Sequence, residues 1–198
     1  MFTYTLISLV VIAFTIILNI LFGSYGVDNT ILSVIIYVVL SIIFDALVAL
    51  LRKVIPEKWV DKNYRLYRLT RFQKGLYEFI QIKKWKDLVP ELGGKFTNIS
   101  KSKIEKPHDE DYLKEFILEC RYGIIIHSLS FITAFLPLVC DYNLYIGNYY
   151  ALLTIGLPLC LTNAILIYLP TLILRYNLPR IEYLYLLSLR KNKTNENI

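Results

Sequence analysis

The sequence predicts an all-α, polytopic membrane protein with four transmembrane helices and a cytoplasmic interfacial amphipathic helix, on three observations. Of 198 residues, 56% are hydrophobic and 19% charged, against roughly 25% charged in a typical globular domain. Residues 1–51 contain no Lys or Arg, and neither do residues 122–174. The 22 cations fall in two segments, 17 between Arg52 and Arg121 and 5 from Arg175 onward. Cation-free stretches that alternate with basic ones mark spans and the cytoplasmic loops between them. An ordinary soluble enzyme, a disordered chain and a disulfide scaffold are excluded. The net charge of +6 needs no nucleic acid to explain it.

A bilayer core of about 30 Å takes roughly 20 apolar helical residues. The first stretch supplies two such segments around the break at 23–29, giving spans at about 3–22 and 30–51. The second divides at Asp141-Tyr142-Asn143, giving spans at about 122–140 and 149–174; the last carries Gly156, Pro158 and Pro170 and is expected to kink or tilt. The first span lacks a basic leader and a small-residue cleavage site, so it reads as an anchor rather than a signal peptide. The positive-inside rule puts the loop 52–121 and the tail 175–198 in the cytoplasm. The expectation is one membrane domain over 1–198, in the cell membrane, with both termini cytoplasmic.

Between the second and third spans lie about 70 residues, too many for a connector. Leu69, Phe72, Leu76, Phe79 and Ile80 recur at helical spacing with Arg71, Lys74, Glu78 and Lys83 on other faces, the pattern of a helix lying on a membrane surface. It leads into Lys83-Lys84-Trp85-Lys86-Asp87. Lys84, Trp85 and Lys86 fit two uses: anchoring to anionic lipid, or holding a phosphorylated substrate such as an acyl thioester of coenzyme A. Gly93-Gly94-Lys95 lacks the first half of a phosphate loop and reads as a turn. The sequons at Asn98 and Asn192 fall on the cytoplasmic side. Residues 97–111 read as loop, with His108 exposed, and a helix resumes at Tyr112. Cys120, Cys140 and Cys160 have neither metal-ligand spacing nor a disulfide pattern, so no metal and no bound cofactor are expected.

Polar groups inside spans are costly and face the bundle interior or a cavity. Asp45, His127, Asn163 and, at the boundary, Glu119 qualify. Asp45 reads most simply as an ion-pair partner of Arg52 or Lys53, and Asn163 as an interhelical hydrogen bonder. His127 lies six residues past Arg121, roughly 9 Å along a helix, and is reachable from the interface. Glu119 is eight residues away, roughly 12 Å, too far for a direct dyad. A packed structural histidine and a general base are equally open readings.

Ile55-Pro56-Glu57-Lys58-Trp59, Lys84-Trp85-Lys86-Asp87 with Pro90, Glu119 with His127, and Arg175-Tyr176-Asn177-Leu178-Pro179-Arg180 follow in an order that resembles the glycosyl-4,4'-diaponeurosporenoate acyltransferase family of carotenoid biosynthesis, over about residues 50–190. The resemblance implies transfer of a fatty acyl group, from a coenzyme A thioester as co-substrate, to a sugar hydroxyl of a membrane glycolipid such as a glycosylated carotenoid acid. It departs from the family pattern at Ile124 and Tyr168, where a Glu and an Asn are expected. It implies His127 as base, Asn177 as oxyanion donor, and Lys84, Lys86, Arg175 and Arg180 as ligands of donor phosphates or an anionic head. Trp85 and Tyr176 would set depth, and Glu119 would orient Arg121 or an arginine of the tail. The partners expected are the bilayer, an acyl donor and a glycolipid acceptor. The alternative is a non-catalytic membrane protein that binds lipid or a partner.

Overall fold

The computed structural model describes residues 2–23, 26–61, 64–89, 104–144 and 149–195. They are predominantly helical, without a strand among them. The main helices are α1 (Phe2–Phe22), α2 (Val27–Leu50), α3 (Glu57–Val60), α4 (Arg71–Phe79), α5 (Ile82–Trp85), α6 (Glu110–Thr133), α7 (Leu136–Leu144), α8 (Tyr149–Ala151) and α9 (Leu157–Asn195). Four stretches are long and apolar enough to cross a membrane: Thr3–Phe22, Val27–Lys53, Glu110–Cys140 and Tyr149–Lys191. By length and composition this is a multi-pass membrane protein. The expected turn at Gly93-Gly94-Lys95 and the sequon at Asn98 lie outside the described residues.

The chain forms two compact units, the first comprising 1–52 and 126–169, the second 53–125 and 170–198. Every Lys and Arg except Arg52 belongs to the second.

In the first unit, Gly26 turns the chain between α1 and α2 at a φ of 82°, a conformation that glycine adopts without strain. The buried Thr30 then donates through Oγ1 to the Gly26 carbonyl at 2.8 Å. Val34, Tyr37, Ala151, Ile155, Leu159 and Cys160 form the core. Gly156 lies against the Tyr37 phenol so closely that a Cβ there would overlap the ring. It ends a single π-helical segment, Leu152–Gly156, ahead of Pro158. Pro158 has no N–H to give the Thr154 carbonyl, and that carbonyl instead accepts from Asn19 Nδ2 of α1 at 3.1 Å. Thr154 Oγ1 donates back to Asn19 Oδ1 at 2.7 Å. This clasp satisfies polar groups that lipid cannot.

The third span differs from its expected form. It breaks at Ala134-Phe135 and restarts at Leu136, and its helix continues to Leu144 through the turn expected at 141–143. Pro137 is the cause, because it can neither donate to the Thr133 carbonyl nor avoid crowding it.

In the second unit, Leu113, Phe116, Ile117, Cys120 and Ile124 of α6 pack with Leu174, Leu178 and Ile181 of α9 and with Tyr67. Both sets recur at i, i+3, i+4 and i+7 spacings, the pattern of one helix face. The same periodicity carries α9 on to Asn195, so the segment expected as a tail is largely helix. α4 is shorter than the expected 69–82 segment. Thr70 and Gln73 form a capping box at its start, and Gln81 in the left-handed conformation follows its end.

Candidate functional site

Two buried arginines organise the charged unit. Arg121 of α6 donates from Nη1 to the Asp61 carbonyl at 2.7 Å and to Asp61 Oδ1 at 3.1 Å, and from Nη2 to Glu182 Oε1 at 3.1 Å. Its guanidinium lies 5.3 Å from the centre of the Tyr67 ring, within cation–π range. Burial pushes the Tyr67 phenol up to about 12, although the nearby Arg121 charge works the other way; the hydroxyl therefore stays protonated at neutral pH. Glu119 is buried as well, but the carboxylates on Arg121 are Asp61 and Glu182. That corrects the expected Glu119–Arg121 contact: residues two apart on a helix point about 200° apart.

Arg175 of α9 is held differently. Nη2 donates to the Arg68 carbonyl at 3.0 Å and to Gln73 Oε1 at 3.1 Å, and the buried Nε has no acceptor. Both acceptors are neutral, and no described carboxylate pairs with this arginine. The next residue, Tyr176, packs its ring 6.4 Å from that of the buried Tyr77 of α4. Gln73 Oε1 also accepts the Thr70 N–H at 3.1 Å, so one oxygen serves both the helix cap and the arginine. At the other end of α4, Trp85 Nε1 donates to the Ile80 carbonyl at 2.8 Å. The indole N–H is thereby committed to chain closure, which leaves the ring for other contacts.

Of the expected site residues, Arg175 and Tyr176 of α9 thus meet α4, and Trp85 at the end of α5 closes onto the turn that follows α4. Lys84 and Arg180 are exposed, and Lys86 and Asn177 half-buried. Glu119 belongs to this unit, whereas His127, half-buried on α6, belongs to the other. In that unit Asp45 Oδ2 accepts from Asn163 Nδ2 at 3.2 Å. The expected pairing of Asp45 with Arg52 or Lys53 is therefore replaced by a neutral amide partner from α9. Among the described residues no group of three or more His, Cys, Asp or Glu is placed to hold a metal.

Gln73, Arg68, Asp61 and Glu182 were not foreseen. Thr70-x-x-Gln73 is a capping-box signature and could have located the start of α4. Asp61 and Glu182, 60 and 61 residues from Arg121, leave no local signal.

No curated protein and no solved structure matches the chain. The family model of glycosyl-4,4'-diaponeurosporenoate acyltransferase matches residues 56–186, a stretch that includes Arg121, His127, Arg175 and Arg180 and leaves α1 and α2 outside.

Proposed function

Because the chain belongs to the glycosyl-4,4'-diaponeurosporenoate acyltransferase family, whose name denotes an acyltransferase of carotenoid biosynthesis, we propose that it esterifies a sugar hydroxyl of a membrane glycolipid with a fatty acyl group at the cytoplasmic interface. The acceptor is a glycosylated carotenoid acid and the donor an acyl thioester of coenzyme A. The observation that carries this reading is the family match over residues 56–186, which contains every residue assigned a role below.

The acceptor hydroxyl oxygen attacks the thioester carbonyl carbon while His127 takes the hydroxyl proton. A C–O bond forms and the C–S bond breaks; the thiolate leaves and recovers the proton from the His127 imidazolium. Asn177 donates to the oxyanion that develops on the carbonyl. Lys84, Lys86 and Arg180, with exposed or half-exposed side chains, hold the phosphates of the soluble donor. Arg175 adds an uncancelled positive charge, and the rings of Trp85 and Tyr176 set depth. Glu119 orients an arginine of the C-terminal segment.

Lipid mass spectrometry of cells with and without the gene tests the reaction, the expected result being a glycolipid heavier by one fatty acyl group. His127→Gln should retain membrane insertion and lower transfer by at least about 100-fold, the low end for a general base. Transfer at the wild-type rate would remove His127 from the mechanism. Lipid profiles that are unchanged by deletion of the gene would favour the non-catalytic lipid-binding alternative. Orientation is tested by alkaline-phosphatase fusions, expected to be active at Asn143 and inactive at Lys95.

A further inference from the structure

α4 presents three different faces. Phe72, Leu76 and Phe79 lie within about 60° of one another at roughly 100° per residue, and they are 79%, 43% and 82% exposed. Arg71, Lys74 and Glu78 share a second, charged face and are also exposed. Gln73 and Tyr77 form the third, which is fastened: Gln73 Oε1 accepts from Arg175, and Tyr77 is buried against Tyr176. Two phenylalanines about four-fifths exposed on a nine-residue helix are a stripe without a protein partner among the described residues. Exposed Lys83 and Lys84 follow just past its end, so the stripe is flanked by four cations, Arg71, Lys74, Lys83 and Lys84, against one acid, Glu78. The same chain carries four stretches long and apolar enough to cross a membrane, which makes a bilayer the natural neighbour.

We propose that the Phe72–Leu76–Phe79 face of α4 docks on an anionic lipid surface, and that Arg175 and Tyr176 are positioning residues that hold the helix in the orientation for docking. The apolar stripe enters the headgroup–acyl boundary while the flanking cations meet lipid phosphates. The clamp is specific to a guanidinium. Its Nη2 carries two N–H groups, one for the Arg68 carbonyl just before the helix and one for the oxygen that also closes the capping box. A lysine ammonium at the end of a flexible stem lacks that planar fork. The uncancelled charge of Arg175 then lies directly behind a membrane-facing helix. This inference does not depend on the acyl-transfer reading, and its test needs no substrate.

The test places the photoreactive residue p-benzoylphenylalanine at Phe72, Phe79 or Glu78 of the full chain, reconstituted into vesicles of phosphatidylcholine with or without phosphatidylglycerol. Phospholipid adducts are read by mass spectrometry. Adducts are expected at positions 72 and 79, several-fold above position 78, with a yield that falls at least twofold when phosphatidylglycerol is omitted. Arg175→Lys and, separately, Gln73→Ala should each narrow the contrast between positions 79 and 78 to less than half, with helix content unchanged by circular dichroism. Gln73→Ala leaves α9 intact, so it guards against a folding defect at position 175. Equal labelling at 78 and 79 in the parent protein, adducts to a second copy of the chain, or no lipid adduct would overturn the docking face. Equal yields in both vesicle types would overturn its anionic selectivity, and an unchanged contrast in both clamp variants would overturn the positioning role.

Discussion

Arg121 and Arg175 lie in the same unit, are 8% and 7% exposed, and each leaves its Nε without an acceptor. Their surroundings differ in one respect. Arg121 meets two carboxylates and an aromatic face, whereas Arg175 meets a backbone carbonyl and a side-chain amide oxygen. Removing a charge from water is unfavourable by several kcal/mol. At Arg121 that penalty is offset inside the protein. At Arg175 the hydrogen bonds to the Arg68 carbonyl and Gln73 Oε1 offset part of it, and no carboxylate among the described residues pairs with it. The pair distinguishes an arginine matched by carboxylates of the fold from one matched by neutral acceptors.

That contrast can be broken first at Arg121. Arg121→Ala removes three hydrogen bonds and the packing on Tyr67, and should destabilise the detergent-solubilised protein by about 2–3 kcal/mol, the low part of the range because Asp61 and Glu182 can return to water. Arg121→Met, which keeps the stem, should be milder. Thermal unfolding checks both, and an Arg121→Ala protein as stable as its parent would dissolve the distinction.

The next effect is expected at Arg175. Arg175→Lys should lower acyl transfer about tenfold, equivalent to about 1.4 kcal/mol, with a melting temperature closer to wild type than that of Arg121→Ala. The reverse ranking would mean that Arg175 is the structural one. Smaller still are the single carboxylate changes. Asp61→Asn should be worth less than about 1 kcal/mol because the side chain is 65% exposed, and Glu182→Gln somewhat more because it is 37% exposed.

The smallest effect is on Tyr67. Its phenol titrates at about 12 in the folded protein, against the ordinary tyrosine value of 10.0. The unfolded chain therefore releases this proton first as pH rises. The stability that Tyr67 contributes is complete below about pH 10 and is lost as pH climbs through about 12. Since the Arg121 charge lowers this value, Arg121→Met should move the tyrosinate absorbance of Tyr67 to still higher pH. A downward move would mean that the cation–π geometry does not govern the phenol.

The spans were legible because they are written locally, as about 20 apolar residues without a cation, and the helical stripe of Phe72, Leu76 and Phe79 was legible for the same reason. Pro137 shows the limit: one ring inside an apolar run breaks the third span where composition shows nothing. The partners of Asp45, Arg121 and Arg175 lie 60 to 118 residues away, and periodicity says nothing about which helices meet. The nearest cation to Asp45 in sequence, Arg52, is therefore not its partner, and the residue nearest Arg121 that could pair with it, Glu119, does not do so. His127 was legible as a polar group in a span, but its surroundings were not.

Asn19 and Thr154 carry one further consequence, for the order in which the molecule is made. They are 135 residues apart, so α1 enters the bilayer long before the ribosome has added the hydroxyl that finally donates to Asn19 Oδ1. During that interval the Asn19 amide has only the Thr15 carbonyl of its own helix, to which Nδ2 donates at 2.9 Å, and the first unit cannot close until its last helix arrives.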